Sequence, residues 1–323
     1  QLVEHSLRQQ LTRYEDHRIQ YQVIEEPLSR EALIEKIKAS PGPRLVIMNT
    51  VQSAAVIAND LVQSYGGETE IPGACEHVMH LSTALTAEDR EATVEAIKKR
   101  LKPDCEDDCD TDWTLVATSC VEAGVDFSFH TGFREISSLL SLLQAAGRIG
   151  RNGEYNDSRI WSFTMQDDKQ LTSNRSTVDS EKILQRFFQR KMPISPQLCT
   201  RAIVAELSSG TGKEQALLKE EQKRNYAEVG ARFKVIDSET VIVIVDEDLK
   251  QRIRYGQCDW RELQRKGIPV RLDHVKKLAL PKLIKNEKEV DCIYNWNQRY
   301  DSFLGIMSGV LDEAASRNGN LFC

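Results

Sequence analysis

Apolar positions along the first half of the chain fall in two alternating spacings. "RIQYQVI" (18–24) is a β-rich run, and "SREALIEKIKAS" (29–40) carries its apolar residues at helical spacing. "RLVIMN" (44–49) is short and continuously apolar, the pattern of a strand buried on both faces of a parallel sheet. The spacing then predicts a helix over 51–65, stopped by Gly66-Gly67. "HVMHLS" (77–82) reads as the next strand. Thr86, with Asp89 three residues on, makes a capping-box-like start for a helix over 87–101 that Pro103 ends. "WTLVATS" (113–119) is a second buried strand, and "RIWSF" (159–163) closes the series. Such alternation predicts an α/β fold, a doubly wound parallel sheet with right-handed crossovers.

After about Asp167 the texture changes. Helical segments "DSEKILQRFFQRKM" and "GKEQALLKEEQKRNYAEV" precede a β-rich patch, "FKVIDSETVIVIVDEDL". Further helices are expected through "DWRELQRKG" and "RYDSFLGIMSGVLDEAAS". The pattern predicts a first unit over 1–165 and a smaller mixed α+β accessory unit over 166–323. The polar stretch 166–180 is the linker candidate.

Composition narrows the class. A length of 323 residues suggests two domains, and 40% hydrophobic with 28% charged residues is ordinary for soluble globular protein. The apolar runs are too short and interrupted to span a bilayer, so no membrane partner is expected. No cationic, apolar signal segment opens the chain, which starts at Gln1 and reads as a piece of something larger. Eight cysteines are scattered without a CxxC pair. Cys105 and Cys109 in "CEDDC" have no second pair with which to hold zinc, so no metal site is expected there. An acidic, solvated loop fits that stretch better, and a reducing cytoplasm fits the thiols. A net charge of −6 excludes a uniformly basic nucleic-acid coat and leaves room for a local basic groove.

Ligands of open parallel sheets bind beyond the carboxyl ends of the strands. Three loops are predicted there. "NTVQSA" offers backbone N–H groups and hydroxyls that suit a phosphate, although an ordinary N-cap accounts for Asn49 or Thr50 as well. In "TSCVEAGVDF" small residues and Gly124 admit a polyanion, Thr118 and Ser119 supply hydroxyls, and Asp126 places a carboxylate for a ribose or an arginine. "QAAGRIGRNG" sets Arg148 and Arg151 three positions apart among glycines. Guanidinium groups so placed stabilise the charge that builds up in phosphoryl transfer. Taken in isolation, two surface arginines at a helix end capped by Gly150 and Gly153 explain the same letters.

In this order the three loops resemble motifs IV, V and VI of the second RecA-like domain of superfamily 2 helicases. With "HLSTALTAEDR" and "FHTGFREISSLLSLLQAAGRIGRNG", residues 45–165 more specifically resemble the helicase-nuclease of type I CRISPR-Cas systems. "FKVIDSETVIVIV" and "YDSFLGI" are more distantly similar to that family's C-terminal accessory domain. Most DEAD-box proteins carry His-Arg where this chain has Gln144-Ala145. The resemblance implies a RecA-like domain over 1–165 and an ATP-dependent 3′–5′ single-stranded DNA translocase. Thr118 and Ser119 would touch the strand backbone, beside Asn49, Thr50 and Gln52. Gly124, Asp126 and Gly147 would line the inter-domain ATP cleft. Gln144, Arg148 and Arg151 would face the nucleotide, the arginines as fingers. Arg134 also matches the pattern, with no role beyond ordering its loop.

Two look-alikes are set aside. In "SSGTGKEQ" the first P-loop glycine falls on Leu207, and Glu214 replaces Ser/Thr. "VIVIVDED", with Asp246 to Asp248, follows motif VI rather than preceding it, and reads as a strand ending in a charged turn. "DH" at Asp273-His274 is in reversed order for a nuclease metal cluster. ATP and Mg²⁺ are therefore expected only in a complete enzyme, together with a first RecA-like domain and an HD nuclease domain. The resemblance further implies single-stranded DNA and a Cascade-type surveillance complex as partners. Another superfamily 2 translocase, such as an RNA helicase or restriction translocase, and a non-enzymatic binding module both stay open.

Overall fold

The computed structural model describes residues 4–66, 76–101, 111–174, 176–208, 212–232, 239–257, 259–284 and 292–316. Six strands form the first sheet: β1 (Gln20–Val23), β2 (Arg44–Ile47), β3 (Val78–Leu81), β4 (Thr114–Ala117), β5 (Thr131–Glu135) and β6 (Arg159–Phe163). Their order is β1-β6-β5-β2-β4-β3, and every pairing is parallel. β2 and β4 are interior strands, each flanked on both sides, and are buried at every position, as their unbroken apolar runs require.

Successive side chains of a strand point to opposite faces, and the core divides accordingly. Val46 and Met48 face α2 (Arg30–Lys38) and α3 (Val51–Ser64), through Leu33, Ile37, Ala54, Ile57 and Leu61. Leu45 and Ile47 face the other way, with Ile97 of α4 (Ala87–Arg100) and Leu139 and Leu142 of α5 (Leu139–Ala146). The doubly wound arrangement is thus as expected. The Thr86 hydroxyl accepts from Asp89 N at the start of α4 as its spacing predicts, and Gly66 closes the end of α3 at φ 73°. Pro103, Gly67, Cys105 and Cys109 lie outside the described residues.

Two elements of this unit escape the sequence pattern. α1 (His5–Arg18) precedes β1, and its Arg18 Nη1 donates to Ala146 O at 3.2 Å and to Ile149 O. β5, "TGFRE", sits mid-sheet between β6 and β2 although it contains Gly132, Arg134 and Glu135. Gly132 is required there, because a Cβ would stand 2.8 Å from Ile149.

The remaining helices are α6 (Val178–Gln189), α7 (Leu198–Ser208), α8 (Gly212–Gln222), α9 (Tyr226–Arg232), α10 (Glu247–Arg254), α11 (Trp260–Lys266), α12 (Leu272–Lys277) and α13 (Met307–Ser316). A second, mixed sheet runs β8-β7-β10-β9, from β7 (Thr240–Ile244), β8 (Gly267–Arg271), β9 (Lys282–Ile284) and β10 (Ile293–Asn295). Only β7 and β10 pair in parallel. The expected single helical stretch over 212–229 is broken by Arg224 at φ 58°. In the final stretch only 307–316 is helical, because residues 300–306 instead dock on the β3–α4 turn. There Ile306 N donates to Ala84 O at 3.1 Å, and the Tyr300 hydroxyl donates to Asp89 Oδ2.

The two sheets share one core. Val241, Val243, Trp296 and Val310 cluster with Leu33, Ile37 and Ala54, while Ile183, Leu184, Phe187 and Leu198 of α6 and α7 join the opposite face with Leu139 and Leu142. The expected linker 166–180 is packed rather than free. Asp168 pairs with Arg30 at 3.1 Å, Gln52 Nε2 donates to Gln170 O at 2.7 Å, and α6 already begins at Val178. Asp246, at the end of "VIVIV", is the N-cap of α10, its carboxylate accepting from Leu249 N at 2.7 Å. Asp273 pairs with Arg271 at 3.1 Å.

Candidate functional site

The first two loops leave the carboxyl edge of the first sheet, after β2 and β4, as expected. The third does not, because α5 carries the chain back to the amino edge, where Phe129, just before β5, donates to Arg148 O and accepts from Gly150 N. Asn49 follows β2 and is locked in place. Its backbone N–H donates to Glu135 Oε2 at 2.7 Å and its Nδ2 donates to Ile136 O at 2.7 Å. Thr50 is the N-cap of α3, accepting from Ser53 N, and its hydroxyl lies 2.7 Å from that of Thr172. With Gln52 on Gln170, the Thr50 and Gln52 side chains, which the resemblance assigns to a strand backbone, are engaged by residues 170–172.

After β4 the chain turns through a short 3₁₀ segment, Ser119–Val121. Thr118 is buried and directed at Cys120 Sγ (3.5 Å), whereas Ser119, Gly124 and Asp126 are exposed. Gly124 sits at φ 79° with nothing within 4 Å of where a Cβ would be, so the loop is open at that point. Burial pushes the Cys120 thiol up, which leaves it protonated and unreactive.

α5 ends at Gly147, its C-cap, and Gln144 on its last turn is exposed. Gly150 follows at φ 53°, where Ser158 leaves no room for a Cβ, and Gly153 takes φ 75°. The arginines do not point away into solvent. Arg148 Nε donates to Val121 O at 3.1 Å and its Nη2 donates to Glu122 O at 2.8 Å. Arg151 Nη1 pairs with Asp126 at 2.9 Å, and its backbone N–H donates to Ser128 Oγ at 2.9 Å. Both guanidinium groups therefore lie over the loop after β4. Partial burial, and then the charge of Arg151, pull Arg148 below its ordinary value, with Asp126 opposing. Two cations held together beside an open glycine make a place where added negative charge is favourable.

The sequence pattern misses what ties these loops together. Arg134 of β5 is buried, with Nε 2.8 Å from Glu122 Oε1 and Nη1 donating to Asn49 Oδ1 at 2.6 Å. Glu122, also buried, is raised by desolvation against the pull of Arg134. Desolvation likewise pushes Glu135 up to about 7, while the Asn49 N–H and Arg134 hold it down. The one available signal was a strand containing an arginine and a glutamate with no solvent face to carry them. Among the described residues no group of three or more His, Cys, Asp or Glu could hold a metal ion, and no helix is long and apolar enough to cross a membrane.

Comparison with known proteins bears on this site directly. Residues 41–154 match the family described as "CRISPR-associated nuclease/helicase Cas3, C-terminal". A segment of 57 residues is 40% identical to the "CRISPR-associated nuclease/helicase Cas3" of Haloferax volcanii, over 17% of this chain and 6% of that protein. The fold is similar to the crystal structure of T. fusca Cas3, with a TM-score of 0.58 and 16% identity over 87% of this chain and 39% of that one. It is also similar to a chain of a "CRISPR RNA-guided surveillance complex, pre-nicking" (TM-score 0.55, 15% identity, 88% of this chain and 41% of that one). The chain thus spans about two fifths of the length of these solved relatives. The matched segment contains all three loops, and the sheet that carries them has the parallel, doubly wound form of a RecA-like domain. Residues 41–154 thus resemble the C-terminal part of the Cas3 nuclease/helicase, and the fold is a RecA-like domain followed by a smaller mixed unit.

Proposed function

We propose that this chain supplies the second RecA-like domain, over 1–165, and the accessory unit, over 166–323, of an ATP-dependent 3′–5′ single-stranded DNA translocase acting in type I CRISPR interference. The observation that carries the reading is the placement of Arg148 and Arg151 over the loop that holds Gly124 and Asp126. Partners in the complete enzyme are a first RecA-like domain, an HD nuclease domain, the DNA strand and a Cascade-type complex. A solved chain of similar fold is described as "T. fusca Cas3-ATP" (TM-score 0.59, 16% identity, 87% of this chain and 40% of that one), which supports ATP as the nucleotide.

The residues present fit a polyphosphate, through an exposed positive-φ glycine with open space and two adjacent guanidinium groups. ATP, with Mg²⁺, supplies the phosphoryl group transferred to water when it is bound. This chain's part is electrostatic. Arg148 and Arg151 exchange their carbonyl and carboxylate partners for the negative charge that develops on the transferred group. Gln144, Gly147 and Asp126 shape the cleft wall around them. Ser119 and Thr118 carry the strand backbone with Asn49, Thr50 and Gln52. The chain alone holds neither a P-loop nor the Mg²⁺ carboxylates in this reading, so by itself it does not turn over ATP.

Substitution in the complete enzyme tests this. Arg148→Ala and Arg151→Ala each lower DNA-stimulated ATP turnover by about 10³-fold or more while nucleotide binding is largely kept. Arg151→Lys, which keeps the charge but not the planar fork, also fails to restore it. Near-normal turnover in both Arg151→Lys and Arg151→Ala would make the two arginines surface residues. Stimulation by RNA rather than single-stranded DNA would move the protein to another class of superfamily 2 translocase.

A further inference from the structure

Arg134 and Glu122 form a buried pair that touches no surface where a ligand could sit, yet they join all three loops. From the loop after β2, Asn49 Oδ1 accepts from Arg134 Nη1 at 2.6 Å. The same nitrogen donates to Glu135 O at 2.8 Å, which holds the fork at the end of β5. From the loop after β4, the Glu122 carboxylate lies 2.8 Å from Arg134 Nε. Glu122 faces the third loop through its own carbonyl, which accepts from Arg148 Nη2 at 2.8 Å. Asn49, Arg134, Glu122 and Arg148 thus form one unbroken chain of polar contacts.

We infer that Arg134 and Glu122 are positioning residues that couple engagement of the nucleic-acid strand to release of Arg148 toward the nucleotide. This rests on the helicase reading above. Arg148 has a defined resting place, the carbonyls of Val121 and Glu122, and a second place is required if it acts on the transferred phosphoryl group. The residues assigned to the strand, Asn49 on one side and Thr118 and Ser119 on the other, flank the two ends of the Arg134 bridge. A strand that shifts either loop moves the Val121 and Glu122 carbonyls through that bridge and unseats the finger. Both members sit in the interior, with Arg134 3% and Glu122 7% exposed, so the pair is screened little by solvent and transmits displacement as a unit. Its two guanidinium arms need the planar fork, which lysine lacks.

Steady-state ATP turnover of the complete enzyme, measured with and without single-stranded DNA, tests the coupling. The variants are Glu122→Gln, Arg134→Lys, and the double Glu122→Gln/Arg134→Gln, which removes both charges and leaves no unpaired ion in the core. Each is expected to reduce the ratio of stimulated to unstimulated kcat by about 3- to 30-fold, with little change in the KM for ATP. Thermal melting identifies any variant that is merely unfolded, and the double variant keeps the test open if a single one is. A purely structural role lowers both rates together and leaves the ratio unchanged, and that result overturns the proposal. If Arg148→Ala is inactive while the ratio survives in every pair variant, the helicase reading stands and the coupling alone fails. If the wild type shows no stimulation by nucleic acid, both fall.

Discussion

Among single residues, the glycines separate clearly by what surrounds them. Gly124 and Gly305 both lie at positive φ, 79° and 66°. At Gly124 a Cβ meets nothing within 4 Å, whereas at Gly305 it would stand 2.2 Å from Ala84 O, a backbone atom that cannot step aside. Alanine at Gly124 therefore costs only the left-handed backbone penalty, about 1–2 kcal/mol. Alanine at Gly305 adds a steric overlap that forces residues 300–306 off the β3–α4 turn. Chemical denaturation is expected to rank Gly305→Ala as the more damaging by at least about 2 kcal/mol. Equal losses would mean that the 300–306 segment yields at no cost. Arg151 and Asp126, a pair 42% and 81% exposed, make the opposite case, because so solvated a contact contributes at most about 1 kcal/mol. Its worth lies in where it holds the guanidinium.

Elements show how the site is framed. α3 begins at Thr50 because a threonine in extended conformation can accept from Ser53 N, and the same hydroxyl meets Thr172 at 2.7 Å. Thr50→Ala is expected to cost about 1–2 kcal/mol through the lost cap, and Thr50→Ser to recover most of it. Thr172→Ala leaves the cap intact and removes only the hydroxyl contact to Thr50, while the backbone of Gln170 and Thr172 still engages Gln52 and Ser53. In the helicase reading it loosens the hold on the Thr50 hydroxyl beside the strand track, so single-strand affinity should hold or rise. A fall in affinity equal to that of Thr50→Ala, read by fluorescence anisotropy at fixed salt, would show that Thr172 itself binds the strand. β5 illustrates the reverse dependence, since its place in the sheet comes from neighbours rather than from its own composition. Arg134 is tolerable there only because Glu122 and Asn49 come to meet it.

Across the whole molecule, the contact between the first sheet and the 300–306 segment runs partly through His80 of β3, a wholly buried ring whose Nδ1 lies 2.8 Å from Phe303 O. Burial holds this imidazole down at about 4, against 6.5 in the unfolded chain. Between those values the unfolded state binds the extra proton. The contribution of His80 is therefore intact above pH 6.5 and is lost as the pH falls toward 4, at most about 3 kcal/mol. Glu135 works in the opposite direction, since desolvation raises it to about 7 from 4.5. Its penalty is absent below pH 4.5 and grows as the pH rises through 7. Denaturant titrations of the wild type and of each single variant at about pH 7.5 and 4.5 separate the two. His80→Asn should lose less stability than the wild type on acidification, and Glu135→Gln should gain relative to it at the higher pH. A wild-type pH dependence unchanged by His80→Asn would remove His80 from the account.

Local order in the sequence was enough for the parallel α/β class, the buried strands β2 and β4, the helix start at Thr86 and the order of motifs that resembles Cas3. Each of these depends on nearby residues, through apolar spacing, a cap or a turn, and so is written locally. The tertiary structure decided the rest. It alone put β5 in the middle of the sheet, wrapped 168–172 against α2 and α3, and merged the second sheet into the core beneath the first. It alone brought Arg134, Glu122 and Asn49 together from three separate loops and strands. An arginine in a strand is a misfit until a carboxylate over ten positions away supplies its partner, and no local pattern encodes that meeting.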